Sequence, residues 1–351
     1  MLKPGDTIGI LGGGQLGRML AIEAARLGLR AHVYTPESDS VAAELAHDAT
    51  IAPWDDAREV ARFADACDIV TWEFENVPVG PLAAIEGKLA PHPRALETAQ
   101  DRLNEKRFVE GLGGVPAPYA PVDTAADLAE AIDRIGAPGI LKTRRDGYDG
   151  KGQWRIASAA DAAALGLPDR ALIYEGLVEF EAEFSVILAR SSTGEIRFWD
   201  STHNEHRGGI LARSSLPAPA CVAAHLQDAR DLSAQVADAL DYVGVLTLEF
   251  FATEAGAVFN EMAPRVHNSG HWTIEGAATC QFANHIRAVA GLPLGDTVST
   301  ADGVEMLNLL GDDVASAFGR LSDPAATLHL YGKRDARTGR KMGHVTRIMR
   351  K

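Results

Sequence analysis

Over the first hundred residues the hydrophobic pattern keeps changing its period. "TIGIL" (7–11) is an unbroken apolar run that stops at glycines, which predicts a buried strand entering a tight turn. "GRMLAIEAARLGL" places its apolar residues at helical spacing, and "RAHVYT" returns to a strand. "DIVTWEFE" predicts a further strand that ends at Glu73 and Glu75, and "VPVGPLAAIEG" opens a helix. Alternation of this kind over residues 1–98 predicts an α/β unit with a mostly parallel sheet. The proline-rich "APHPRA" marks its boundary.

Beyond it the pattern predicts an α+β arrangement. "ETAQDRLNEKRFVEGLG" is expected as one helix with charge along one side. "GILK" and "QWRI" read as strands flanking a basic, glycine-rich loop. "ALIYEGLVEFEAEFSVILAR" reads as a strand, a turn and an antiparallel partner. "DYVGVLTLEFFATEAGAVFNEMAPRV" predicts two strands joined at "ATEAG", and "ATCQFANHIRAVAGLPLG" a helix with a glycine stop. From about 296 short strands lead into a basic tail.

Composition narrows the function. A chain of 351 residues exceeds one ordinary core, so two or three domains are expected. A net charge of −14 argues against a general nucleic-acid binder. Cys67, Cys221 and Cys280 are scattered and odd in number, with neither metal spacing nor a disulfide framework, which fits a reducing, cytoplasmic setting. The glycine-broken start predicts neither a signal peptide nor a membrane span.

The chemistry-bearing residues fall into groups. Gly12, Gly14 and Gly17 have the spacing of a dinucleotide fingerprint between a strand and a helix. The acid expected about 20 residues on is poorly matched, by Glu37 just past the next strand. The turn therefore reads as a phosphate seat with Gln15 as a donor, or as a tight turn alone. Glu249 and Glu261 can meet across the hairpin, and with Asn260 nearby they suit a hard Mg²⁺ ion better than zinc. The plain alternative is two solvated acids. Arg265, His267, Asn268 and Ser269 are polar groups able to grip a phosphorylated, hydroxylated ligand. The tail holds eight Lys or Arg between 333 and 351 against Asp335 alone, and Lys333, Arg340 and Lys341 form a candidate phosphate clamp rather than a solvated end. Lys142 ends a strand and can meet an α- or β-phosphate, with Lys151 and loop amides alongside. Glu175 and Val178 offer backbone to an adenine edge, Glu183 reaches ribose hydroxyls, and His206 reaches a phosphate or ribose. Neither a P-loop nor a protein-kinase signature set occurs.

The stretches "GILGGGQLGRM", "TWEFENVP", "QDRLNEK", "KTRRDGYDGKGQW", "LEFF", "NEMAPRVHNSGHWT" and "GRKMGHVT" span nearly the whole chain. Together they resemble the ATP-grasp superfamily and, within it, the ligases that carboxylate 5-aminoimidazole ribonucleotide (AIR) in purine synthesis. The resemblance implies a Rossmann-like pre-ATP-grasp domain over 1–98, an ATP-grasp domain over 99–295 with a lid at about 111–172, and a small β-rich C-terminal domain over 296–351. It implies that Arg102, Lys142, Gly147, Tyr148, Asp149, Gly150, Lys151, Gly152, Gln153, Glu175, Val178, Glu183, His206, Asn260 and Glu261 line an ATP cleft. Glu249 and Glu261 would hold Mg²⁺, with Mn²⁺ as the alternative. Gln15, Leu16, Glu73, Tyr148, Asp149, Arg265, His267, Asn268, Ser269, Lys333, Arg340 and Lys341 would surround AIR and bicarbonate. Lys142, Asp149, Arg265 and Glu73 would carry the chemistry. A homodimer and a hand-off to a mutase acting on the product are further expectations. The rivals are another ATP-grasp ligase of purine synthesis (a formate-dependent GAR transformylase or a GAR synthetase), a nicotinamide-dependent dehydrogenase and a non-catalytic nucleotide sensor.

Overall fold

The computed structural model describes residues 1–147 and 152–350. Four parallel strands form the first sheet: β1 (Thr7–Leu11), β2 (Arg30–Thr35), β3 (Asp48–Ile51) and β4 (Ile69–Trp72), in the order β3-β2-β1-β4. The alternating pattern of residues 1–98 thus gives the parallel sheet it predicts.

A second, antiparallel sheet contains β5 (Tyr119–Val122), β6 (Gly139–Thr143), β7 (Gln153–Ile156) and β8 (Leu172–Gly176), in the order β5-β8-β6-β7. It encloses its own small core of Val122, Leu128, Leu141, Leu172 and Tyr174. This sheet runs to Gly176, beyond the lid limit expected at 172.

The third sheet is antiparallel and has nine strands: β9 (Ala182–Arg190), β10 (Ile196–Phe198), β11 (His203–Arg207), β12 (Ile210–Leu216), β13 (Gly244–Thr253), β14 (Gly256–Ala263), β15 (Gly303–Leu310), β16 (Ala326–Leu330) and β17 (Lys341–Met349). The order is β14-β13-β9-β11-β12-β15-β17-β16, with β10 also on β9. One expectation changes here. β8 and β9 are not partners, because the chain between them crosses from the second sheet to the third. The C-terminal strands extend this sheet, since β15 pairs along β12 from Arg213↔Leu307 to Leu216↔Val304. A second correction lies at the helix expected over 97–113. It is broken into Arg94–Ala99 and Arg102–Gly111, since the Asp101 carboxylate accepts from the Leu103 and Asn104 amides and starts a new helix.

The first and third sheets share their cores. Trp72 and Phe63 cluster with Phe184, Phe250 and Phe259, and Leu16 and Leu20 cluster with Phe282 and Ile286 of the helix Gln281–Val289. Polar contacts cross the same boundary: Trp72 Nε1 donates to the Pro264 carbonyl at 2.9 Å, and His285 Nε2 lies 2.8 Å from Thr71 Oγ1. His285 Nδ1 accepts from the Val245 amide, so Nε2 carries the proton and donates to Thr71. No helix among the described residues is long and apolar enough to cross a membrane.

Burial pushes the His285 imidazole down to about 3, and the buried His271 and His344 are also pushed well below the usual range. Above about pH 6.5 neither folded nor unfolded chain protonates His285. Below it the unfolded chain takes up a proton that the fold refuses. Stability should therefore fall by up to about 1.4 kcal/mol per pH unit for this group, down to about pH 3. Urea unfolding of His285→Gln between pH 7 and 5 should show a shallower pH slope than the parent, and an unchanged slope would count against this account.

Candidate active site

The hairpin of β13 and β14 sets the two acids. Glu249 and Glu261 are direct cross-strand partners, so their side chains leave the same face of the sheet. The register then slips between Glu249 and Phe250, and Asn260 is the extra residue of the bulge. A regular strand would turn Asn260 away from Glu261. The bulge instead re-aims this stretch, and the Asn260 carbonyl accepts from Lys106 Nζ at 3.2 Å.

The environments of the two acids differ. Arg102 Nη1 donates to Glu261 Oε2 at 2.9 Å, while Arg102 Nη2 donates to the Gly147 carbonyl at 3.1 Å. Against the cost of burial, this guanidinium holds the Glu261 carboxyl below the usual range. Burial, aided by the charge of Glu261, pushes Glu249 up to about 7, and does the same to Glu105, up to about 8. His267 Nε2 lies 3.3 Å from Glu249 Oε1. Its own pKa falls well below the usual range, through burial first and then through the charges of Arg265 and Lys341. His206 pairs with Glu183, which raises the imidazole against the effect of burial.

These groups open onto a cavity of about 150 Å³. Among the expected site residues, Arg102, Gly147, His206, Glu249, Glu261, Arg265, His267, Asn268 and Lys341 line it. Arg265 Nη2 is held 2.5 Å from Glu75 Oε2. Lys142 lies behind this wall at the end of β6, with its Nζ donating to Glu175 Oε2 at 2.9 Å. Glu175 is held down to about 2, because Lys142 and Lys106 outweigh its burial. Gln153 starts β7 opposite Lys142, Gly152 takes a left-handed φ of +68° beside Thr143, and Val178 follows β8. Tyr148, Asp149, Gly150 and Lys151 lie outside the described residues.

The glycine turn holds a carboxylate of the chain itself. Glu73 Oε1 accepts from the Gly14 amide at 2.7 Å, at the start of the helix Gln15–Arg26. A Cβ on Gly12 would come within 2.5 Å of Glu73 Oε1 at a φ of +124°, and one on Gly14 would stand 3.0 Å away. The glycines are therefore spaced to admit Glu73. Burial raises the Glu73 pKa, opposed by the Gly14 amide and Arg265. Lys333 acts on the same carboxyl through its charge, and stands 5.7 Å over the Tyr331 ring. Arg340 precedes β17 and donates to the Asp335 carbonyl at 3.1 Å.

Two expected contact residues have buried side chains. Leu16 points its side chain into the apolar core and is 7% exposed, because it lies on the buried face of its helix. Ser269 is fully buried, with its hydroxyl 2.8 Å from His267 Nδ1 and donating to Ser185 Oγ at 2.9 Å, so it supports His267 from behind. Asn268 lines the cavity while exchanging amide hydrogen bonds with Asn308. Conversely, Glu75, Gln100, Glu105 and Arg144 line the cavity without having been singled out as site residues. Gln100 and Glu105, with the neighbouring Lys106, belong to the motif "QDRLNEK". The available signal was Lys106 between Leu103 and Val109 at helical spacing, a cation on an apolar stripe.

Paired acids and several cations line one cavity, a donor set that suits a nucleotide-dependent ligase of the ATP-grasp class. Family models agree: the ATP-grasp domain matches residues 107–282, the ribonucleotide synthetase preATP-grasp domain 5–100, and the phosphoribosylaminoimidazole carboxylase C-terminal domain 305–351. The chain belongs to the N5-carboxyaminoimidazole ribonucleotide synthase family. It is 49% identical over 354 residues to the synthase of Brucella melitensis, covering 99% of this chain and 97% of that one. A crystal structure of the synthetase from Thermus thermophilus superposes with a TM-score of 0.89 at 46% identity, over 97% of this chain and 93% of that one. The Aspergillus clavatus synthase, solved with ADP and 5-aminoimidazole ribonucleotide, gives a TM-score of 0.90 at 31% identity, over 98% of this chain and 94% of that one.

Proposed function

We propose that this protein carboxylates AIR with bicarbonate at the expense of ATP, giving N5-carboxyaminoimidazole ribonucleotide, ADP and phosphate in purine biosynthesis. The observation that carries the reading is the pairing of Glu249 with Glu261 in a cavity that Arg102, Arg265, His267 and Lys341 also line. Relatives named for this activity, one of them solved with ADP and AIR, support it.

The acid pair fits a hard dication. Two carboxylates stand side by side, and burial with the charge of Glu261 pushes Glu249 up to about 7. Among the described residues no group of three or more His, Cys, Asp or Glu is arranged to hold a metal, so the remaining ligands would be phosphate oxygens and water. Glu249 and Glu261 would hold Mg²⁺, or Mn²⁺ in its place, and the ion would offset triphosphate charge.

In the reaction read here, a bicarbonate oxygen attacks the γ-phosphorus and ADP leaves, giving carboxyphosphate. Lys142 and Arg102 offset charge on the transferring group. The exocyclic amine of AIR then attacks the carboxyl carbon, the C–O bond to phosphate breaks, and the amine gives up a proton. Arg265 holds the carboxyphosphate once it leaves Glu75. Glu73 and Asp149 orient the amine, and Lys333, Arg340 and Lys341 bind the ribonucleotide phosphate. His206 and Glu183 face the nucleotide ribose. A cytoplasmic homodimer that passes its product to a mutase completes the proposal.

ADP release measured with AIR alone, bicarbonate alone and both together tests it. Release is expected only with both. Equal release with GAR and formate would favour the rival ligase.

A further inference from the structure

We propose that Lys106 is a positioning residue for ATP binding, which keeps Glu175 paired when the ammonium of Lys142 turns to a phosphate. The inference rests on the assignment of Lys142 to ATP made above.

Both lysines stand on one oxygen. Lys142 Nζ lies 2.9 Å and Lys106 Nζ 3.3 Å from Glu175 Oε2. The other oxygen, Oε1, is buried with no partner among the described residues. The side chains are nearly sealed from water, at 1% exposure for Lys106, 5% for Glu175 and 10% for Lys142. A buried carboxylate stripped of its one cation would take up a proton or weaken the fold. A carboxylate with two ammoniums can release one and remain charged.

The two lysines are held differently. Lys142 sits at the end of β6, and its hydrogen bond among the described residues goes to Glu175. Lys106 sits inside the helix Arg102–Gly111 and also donates to the Asn260 carbonyl, beside Glu261. It therefore joins β8 of the second sheet to β14 of the third, next to the acid pair. Lys142 is the mobile partner of Glu175 and Lys106 the fixed one. The arrangement lets a cation reach the nucleotide without leaving a bare buried anion behind.

A double-variant cycle tests this. ATP affinity would be measured by calorimetry with a non-hydrolysable analogue for Lys106→Met, Lys106→Arg, Glu175→Gln and the Lys106→Met/Glu175→Gln pair, with the KM for AIR alongside. Lys106→Met should weaken binding about 10-fold or more. Lys106→Arg should retain most of it, and the KM for AIR should stay within about 2-fold. Adding Glu175→Gln to Lys106→Met should recover most of the loss, because no charge remains to be held. A pair as weak as Lys106→Met, or weaker, overturns the proposal. If Lys106→Met alone fails to fold, the pair is compared with Glu175→Gln: affinity within about 3-fold supports the proposal, and a further loss of about 10-fold overturns it. Parent-like ATP affinity in Lys142→Ala would instead overturn the underlying assignment of Lys142, so the two failures are told apart.

Discussion

Lys142→Ala is expected to lower ATP turnover dependent on AIR and bicarbonate by about 10²–10³-fold, the size of effect seen when one preorganised donor to developing charge is removed. The ammonium is buried at a strand end, where the effective dielectric constant is low and a charge acts strongly on its neighbours. Burial depresses its pKa, and Glu175 opposes that shift. The truncation removes that cation, while Glu175 keeps Lys106. Thermal unfolding should therefore change little relative to the change in turnover. A coupled assay of ADP release reads the outcome, and turnover within a few-fold of the parent would remove Lys142 from the reaction.

Glu261→Gln should be comparably severe, with at least about a 10-fold rise in the Mg²⁺ needed for half-maximal rate. The carboxylate faces Glu249 across the hairpin and neutralises Arg102. The amide removes both effects, so the Arg102 guanidinium at the cavity wall loses its acid partner. Titration of Mg²⁺ at saturating ATP separates this from loss of nucleotide affinity. A parent-like Mg²⁺ requirement would mean that the pair does not hold the ion.

The legibility of this site in the sequence follows from the range of each interaction. The hairpin that carries Glu249 and Glu261 was readable from two apolar runs and a short turn, but the facing of the acids was not: the turn register Thr253↔Gly256 alone would set Glu249 opposite Asn260, and the bulge brings Glu261 across instead. The parallel sheet of residues 1–98 was readable because strand and helix periods alternate along that stretch. The meeting of Glu73 with Gly14 was not, because it joins positions 59 residues apart, and the glycine spacing alone pointed to an external phosphate. The break at Asp101 was hidden by continuous helical polarity. A single aspartate that accepts two amides of the helix it starts, and is gripped by Arg144 at 2.7 and 3.0 Å, decides it. The separation of β8 from β9 is likewise a choice of partner strand, which periodicity within one strand cannot encode.

The seam between β12 and β15 has a consequence for anyone cutting or grafting this chain. Removing everything after 296 would strip the neighbour from a seven-residue strand and bare a row of unpaired amides and carbonyls. Such a fragment would meet other copies of itself along that rim, so loss of solubility should precede any informative loss of affinity. The last fifty residues are thus a panel of the central wall, and not a detachable cap.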